Sequence, residues 1–310
     1  MNRGSRVSGY GTALPDRIIT NHDLAQTLDT SDTWITERTG IKERRIGGTT
    51  RSLGIEAARL ALDMAGVEAQ DLDGVILATT TPDRVIPATA SAVQLALGAR
   101  CGAFDLNAAC SGFVYGLNVA HGLILAGAEQ VLLIGSETLS RFVDWEDRST
   151  AVLFGDGAGA VVLSATGGDD NALLGWALEC NGALEKSLYC DFGDFIHMDG
   201  REVFRQAVRI MVGTCERALG AARLTTGDID LVVPHQANAR IIQSACEKLG
   251  ISEDRTVQVL SWTGNTSSAS IPLALADAAE SGRLGAGDIV LLVGFGAGMT
   301  SASALLRWEL

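Results

Sequence analysis

Short apolar runs recur along the chain, at 75–79 (VILAT), 131–134 (VLLI), 160–163 (AVVL), 230–233 (DLVV), 289–293 (IVLLV) and 302–307 (ASALLR). A strand covered on both faces needs no polar alternation, so these runs predict buried strands in an α/β layer structure. Between them, 52–65 and 202–219 carry apolar residues at helical spacing. In the second, Val203, Ala207, Met211 and Cys215 form one stripe, while Arg201, Arg205 and Arg209 climb another face at every fourth position. That pattern predicts a helix with one face to the core and one to water.

The pattern also repeats once along the chain. LDGVILATTTP (72–82) resembles IDLVVPHQAN (229–238), EQVLLIGSE (129–137) resembles GDIVLLVGFG (287–296), and FGDGAGAVVLSA (154–165) resembles GFGAGMTSASALL (294–306). The segment 105–127 precedes its glycine-rich partner as 261–282 does. This ordering predicts a duplicated αβ unit with a boundary near 165–172, where TGGDDN reads as a linker. The halves are then 1–168 and 169–310, and a site could draw residues from both.

Composition narrows the class. With 310 residues, 47% of them hydrophobic and 20% charged, the chain can bury a large core. No apolar run approaches the roughly 18 residues of a membrane span, and the start lacks the apolar stretch of a signal peptide, which predicts a cytoplasmic protein. The net charge of -13 argues against nucleic acid as a partner, and an acidic partner would have to meet a local basic patch. The six cysteines, at 101, 110, 180, 190, 215 and 246, include no CxxC pair, so neither a disulfide framework nor a metal site is expected.

Three residues stand out for chemistry. Cys110 follows CGAFDL and a short turn, then opens a segment of small and apolar residues that reads as a helix buried on all sides. Such a junction offers a thiol free N–H groups and a helix's positive end, which favour a thiolate, although buried inert cysteine is the common alternative. His235 directly follows the strand LVVP, at the edge where α/β proteins place functional groups. Asn265 sits in the polar turn WTGNTSSAS, where a turn or N-cap role is the plain alternative. As a set, Cys, His and Asn suit a thiol protease or an acyl-transfer enzyme. GFGAG (294–298) could present backbone N–H donors to an oxyanion or simply connect strands. GDGAG (155–159) has neither a GK[ST] ending nor the full GxGxxG spacing and reads as structural.

From end to end the chain resembles the thiolase superfamily, and most closely β-ketoacyl-acyl-carrier-protein synthase III. The resemblance rests on TSDTWITERTGIKERRI (30–46), DLNAACSGFVYGL (105–117), DRSTAVLFGDGAGAVVL (147–163), MDGREVFR (198–205), PHQANARII (234–242), GNTSSASIPLAL (264–275) and GFGAGMT (294–300), in that order. It implies a five-layered αβαβα fold of two similar halves, a homodimer, and the initiating condensing enzyme of type II fatty acid synthesis. Cys110 is then the nucleophile that takes an acyl group from acyl-CoA. His235 and Asn265 donate hydrogen bonds to the enolate formed when malonyl-acyl-carrier protein loses carbon dioxide.

By the same resemblance, the backbone N–H groups of Cys110 and Ala297 form the oxyanion hole of the acyl-transfer step, and Phe295 screens the thiol. Trp34 and Arg148 flank the adenine of coenzyme A, Arg38 contacts phosphate and Asn238 pantetheine. No permanently bound cofactor or metal is implied. Arg205, Arg209, Arg240 and Lys248 are the expected docking cations for the acidic carrier protein, although Glu247 weakens that patch. Ile86 aligns with a residue that closes the acyl pocket of the dimer partner; its size suggests longer or branched primers. Arg201 stands where relatives often have a small or polar residue, so the resemblance gives it no role.

Four other readings share parts of this pattern. A thiolase would carry a second cysteine in the C-terminal glycine-rich segment, and 294–300 has none. Chalcone-synthase-like enzymes are usually longer. A relative from a secondary-metabolite pathway could keep every motif, whereas a silent acyl-CoA- or carrier-binding paralogue would have no need of an intact Cys110, His235 and Asn265 set.

Overall fold

The computed structural model describes residues 3–310. Five strands, β1 (Arg3–Ala13), β2 (Gly74–Ala78), β3 (Gly102–Leu106), β4 (Gln130–Thr138) and β5 (Asp156–Gly167), form one sheet in the order β1-β5-β4-β2-β3. Four more, β6 (Leu173–Cys180), β7 (Leu231–Pro234), β8 (Ile289–Gly296) and β9 (Thr300–Arg307), form a second in the order β7-β8-β9-β6. The principal helices are α1 (Asp32–Thr39), α2 (Thr50–Ala65), α3 (Thr89–Leu97), α4 (Gly112–Leu125), α5 (Gly200–Ala222), α6 (Ala239–Leu249) and α7 (Ser270–Glu280).

The sequence repeat is a repeat of topology. β2 runs parallel to β4 as β7 does to β8, and β5 is antiparallel to both β4 and β1, as β9 is to β8 and β6. The counterpart of β3 has shrunk to a single bridge between Val232 and Thr256. The segment read as a linker is a tight turn, held where Asn171 Oδ1 accepts from Ser5 N at 3.0 Å and Ala172 N donates to Ser5 O at 2.9 Å.

The central strands of each sheet bury both faces, which is why they read as continuous apolar runs. In the first, Val75, Leu77, Leu132 and Ile134 face α2 and α3, packing on Leu53, Ala57 and Leu62. Their neighbours Ile76 and Leu133 face inward to α4. The second sheet presents Val232, Leu291 and Leu305 to Val203 and Met211 of α5 and to Ile241 of α6. The middle layer, α4 and α7, places Phe113, Leu117, Ile271 and Leu275 between Ile76 and Leu133 on one side and Val233 and Leu292 on the other. The two halves therefore share one core, and the order of layers is αβαβα.

Helix limits follow local chemistry. A Thr49–Ser52 capping box opens α2, and Gly66, at φ 63°, closes it. On α5 the predicted apolar stripe is buried, and Arg201, Arg205 and Arg209 are exposed. One expectation needs correction: α4 is not buried on all sides, because its far end surfaces and Leu125 is half exposed. GDGAG packs the halves together, as expected of a structural segment. A Cβ on Gly155 would meet Thr263 O at 2.4 Å, and one on Gly159 would meet Pro272 Cβ at 2.7 Å.

Candidate active site

Strand ends from both halves converge on one cleft of about 790 Å³. Cys110 lies in the 3₁₀ turn between β3 and α4, His235 just after β7, Asn265 in the loop before α7, and Phe295 and Gly296 at the end of β8. All five line the cleft, with Trp34 and Arg38 of α1 and Asn238, Arg240 and Phe204 nearer the opening of α5 and α6. Three of the four non-glycine residues at positive φ sit here: Ala109 (50°), Ser267 (48°) and Met299 (45°). Such backbone costs of order 1–3 kcal/mol and is kept where surrounding structure fixes a functional turn.

Gly296 explains how the glycine-rich segment meets the nucleophile. Its backbone is extended, but a Cβ there would lie 2.5 Å from Cys110 N and 2.8 Å from Ala109 Cβ. Only glycine lets β8 touch the Cys110 turn. The N–H of Cys110 precedes the first bond of its turn, which Gly112 donates to Ala109 O. The N–H of Ala297 likewise precedes the Thr300-to-Ala297 bond. Ala297 itself is not among the cleft-lining residues; Gly296 is.

Burial pushes the Cys110 thiol up to about 12, with a smaller upward push from Glu137, while hydrogen bonds from Ser267 and from the turn's own backbone pull it down. This corrects the expected thiolate. A helix terminus contributes at most about 2 kcal/mol, or roughly 1.5 pKa units, which does not bring a group at about 12 to neutrality. Cys110 rests as a thiol because desolvation exceeds the dipole's help.

His235 is buried, and burial alone lowers it to about 3, so its imidazole is neutral at physiological pH. Its Nδ1 lies 2.6 Å from Ser270 Oγ, which also accepts from Gln236 N at 3.3 Å. The Ser270 hydroxyl keeps its own proton for Nδ1, and in the tautomer where it donates there the ring proton is on Nε2. The His235 ring is also packed edge-on against Phe295, with centroids 5.4 Å apart.

Asn265 is oriented by the same logic. Its Oδ1 accepts from Ser267 N at 2.9 Å, leaving the Nδ2 amide as the free donor. Its backbone is laced to the first half, with Asn265 N on Leu153 O and Gly155 N on Asn265 O, each at 2.9 Å. Fully buried Arg44 backs this loop, donating to Val152 O at 2.8 Å and to Asn21 Oδ1 at 3.0 Å.

At the opening, the guanidinium carbons of Arg38 and Arg148 sit 4.9 and 4.8 Å from the Trp34 ring centroid. Arg148 is beside the cleft rather than lining it. The Asn238 side chain caps α6, accepting from Arg240 N and donating to Arg38 O, both at 2.9 Å. Arg205 pairs with Glu202, and Arg209 and Lys248 are exposed outside the cleft lining. Ile86 is also outside it and 82% exposed.

Sequence reasoning missed Ser267 and Ser270 as orienting groups. The signal was present in the hydroxyl run Thr266, Ser267, Ser268 and Ser270 at the start of an otherwise apolar helix, since buried hydroxyls there need partners. Among the described residues, no group of three or more His, Cys, Asp or Glu gathers as a metal site, and no helix is long and apolar enough to cross a membrane.

The comparisons agree with this geometry. Family models for 3-oxoacyl-[acyl-carrier-protein] synthase III and for its C-terminal part match residues 104–182 and 219–308. The synthase III of Rhizobium rhizogenes is 50% identical, over 98% of this chain and 99% of that protein. The crystal structure of the Aquifex aeolicus synthase III superposes with a TM-score of 0.96 at 46% identity, covering 98% of this chain and 100% of that one. The priming β-ketosynthase of the R1128 polyketide pathway gives 0.95 at 36%, covering 99% and 97%. With its thiolase-like layers, its cleft and full-length identity of this order, the chain belongs to the β-ketoacyl-[acyl-carrier-protein] synthase III family of acyl-transferring condensing enzymes.

Proposed function

We propose that the chain starts fatty acid synthesis by loading an acyl group from acyl-CoA onto Cys110 and condensing it with malonyl-acyl-carrier protein. The carrying observation is that the cleft holds one buried thiol beside His235 and Asn265, whose Nδ1 and Oδ1 are tied to Ser270 and Ser267, which leaves Nε2 and Nδ2 free to donate. In the first half-reaction Cys110 Sγ attacks the thioester carbonyl, whose oxygen the Cys110 and Ala297 N–H groups stabilise. The C–S bond to coenzyme A breaks, and the thiol proton ends on the departing sulfur. A preformed thiolate–imidazolium pair is disfavoured, because burial raises the thiol and lowers the imidazole.

In the second half-reaction the malonyl carboxylate leaves as carbon dioxide and its bonding pair forms an enolate, whose oxygen takes the two side-chain hydrogen bonds. The enolate carbon attacks the acyl-Cys110 carbonyl. The Cys110 thiolate departs and takes a proton from solvent, and 3-ketoacyl-carrier protein is released. Preorganised neutral donors suit this step, since a cationic imidazole is not required.

Coenzyme A supports the role given to Trp34: its adenine would replace one of the two guanidiniums on that ring, and Arg148 is the one outside the lining. Arg38 and Asn238 then flank phosphate and pantetheine. Arg205 and Arg209 of α5, with Arg240 and Lys248 of α6, supply the docking face for an acidic carrier. Val85 and Ile86, 77% and 82% exposed, are apolar groups that a single chain leaves in water, which supports a homodimer and the lid role of Ile86. We place the protein in the cytoplasm, with no resident cofactor. The higher identity to synthase III relatives favours primary fatty acid synthesis over a polyketide pathway. Incubation with acetyl-, isobutyryl- and octanoyl-CoA, malonyl-carrier protein and wild-type chain tests the proposal. A 3-ketoacyl-carrier product from at least one primer supports it; carrier that remains malonylated with all three contradicts it, and exclusive use of acetyl-CoA refutes the broad pocket tied to Ile86.

A further inference from the structure

The cleft contains a cation that none of these roles uses. Arg201 lines it at the start of α5, while its own backbone N–H and that of Glu202 donate to the capping Asp199 carboxylate at 3.1 Å. The other cleft cations already have proposed roles and lie on aromatic rings, Arg38 on Trp34 and Arg240 on Phe204, 5.7 Å from the ring centroid. Among the described residues, the Arg201 guanidinium has no ion pair, hydrogen bond or aromatic face. The single carboxylate of the lining, Asp199, is spent on the helix cap. In a chain of net charge -13, this local excess of arginine attracts anions.

We infer that Arg201 reads the phosphate that ends the pantetheine arm. The inference rests on the proposed acyl transfer, because that reaction places the thioester at Cys110 and makes the arm run outward along the cleft. The arm's amides and methylenes carry no charge, matching lining from Phe154, Val203 and Phe204. Its first charge is the phosphate, in coenzyme A and on a carrier protein alike, and a guanidinium is suited to bind phosphate oxygens. Arg201 therefore sets preference for phosphate-bearing thioesters over bare pantetheine thioesters.

The test compares wild type, Arg201→Ala and Arg201→Lys in two assays. The first is single-turnover acetylation of Cys110 by acetyl-pantetheine, acetyl-4′-phosphopantetheine and acetyl-CoA. The second is condensation with malonyl-pantetheine and with malonyl-carrier protein, which separates the two sources of the phosphate. Arg201→Ala should lower kcat/KM roughly tenfold for phosphate-bearing donors and leave the bare pantetheine thioesters within twofold, with Lys restoring part of the loss. Equal losses with and without phosphate, or none, overturn the inference. A loss confined to one source keeps it for that source alone. If wild type is acetylated by none of the donors, the proposed acyl transfer fails instead, so the two failures are distinguishable.

Discussion

Replacing Asn265 by alanine removes one of two donors to the enolate and leaves the other in place. Loss of a single preorganised oxyanion donor lowers rate by about 10²–10³-fold, or ~2.7–4 kcal/mol. The proposed roles confine that loss to one step: Asn265 lines the cleft with its Nδ2 amide free, whereas the acyl-transfer oxyanion is proposed to meet backbone N–H groups of Cys110 and Ala297. The substitution also orphans the buried Ser267 N–H at a cost of about 1–3 kcal/mol in stability, while the backbone bonds to Leu153 and Gly155 survive. Asn265→Asp controls for this, keeping an oxygen for Ser267 and removing the donor. The assay follows acetylation of Cys110 from radiolabelled acetyl-CoA and carbon dioxide release from malonyl-carrier protein separately. Loading should stay within about threefold of wild type in both variants, with decarboxylation down about 10²–10³-fold. Equal loss of both half-reactions, or decarboxylation retained in Asn265→Asp, would refute the division of roles.

Ser270→Ala frees Nδ1 to carry the ring proton, so condensation should fall about tenfold with loading little changed, read by the same two assays. Gly296→Ala places a Cβ 2.5 Å from Cys110 N; both half-reactions should collapse and the unfolding free energy from urea titration should drop by about 1–3 kcal/mol. His235, held near 3 against an ordinary 6.5, binds its proton more readily unfolded, so its stability contribution is complete above about 6.5 and declines as pH falls toward 3. Between pH 7 and 5, wild type should therefore lose about 2 kcal/mol more than His235→Gln in urea titrations. Trp34→Ala should raise KM for acetyl-CoA several-fold while sparing acetyl-pantetheine, which lacks the adenine.

The layers were legible where both faces of a strand are buried. Runs such as VILAT and IVLLV announced β2 and β8, and the half-chain repeat announced the paired sheets. β1 and β6 escaped because glycines and polar residues interrupt RGSRVSGYGTA and LLGWALEC. Gly9 and Gly11 of β1 are there because α2 crosses so closely that a Cβ on either would meet backbone oxygen at 2.4 Å, a tertiary demand that no local pattern displays. At the site, Cys110, His235 and Asn265 were individually ordinary, and the family resemblance joined them; the fold brings all three to one cleft. The thiolate expected of a helix start was wrong because burial is a property of the folded core, which residue order does not state. Ser267 and Ser270 were visible only as a hydroxyl run whose partners fold in from β3 and β7.

The central claim is that Cys110 carries the acyl group, and intact-mass analysis after incubation with acetyl-CoA, followed by peptide mapping, tests it most directly. One acetyl group should appear on the peptide containing Cys110 and be absent from Cys110→Ser, while the exposed Cys180 and Cys190 stay unmodified. An unmodified chain, or acetyl distributed over the exposed cysteines with Cys110 free, would contradict the account.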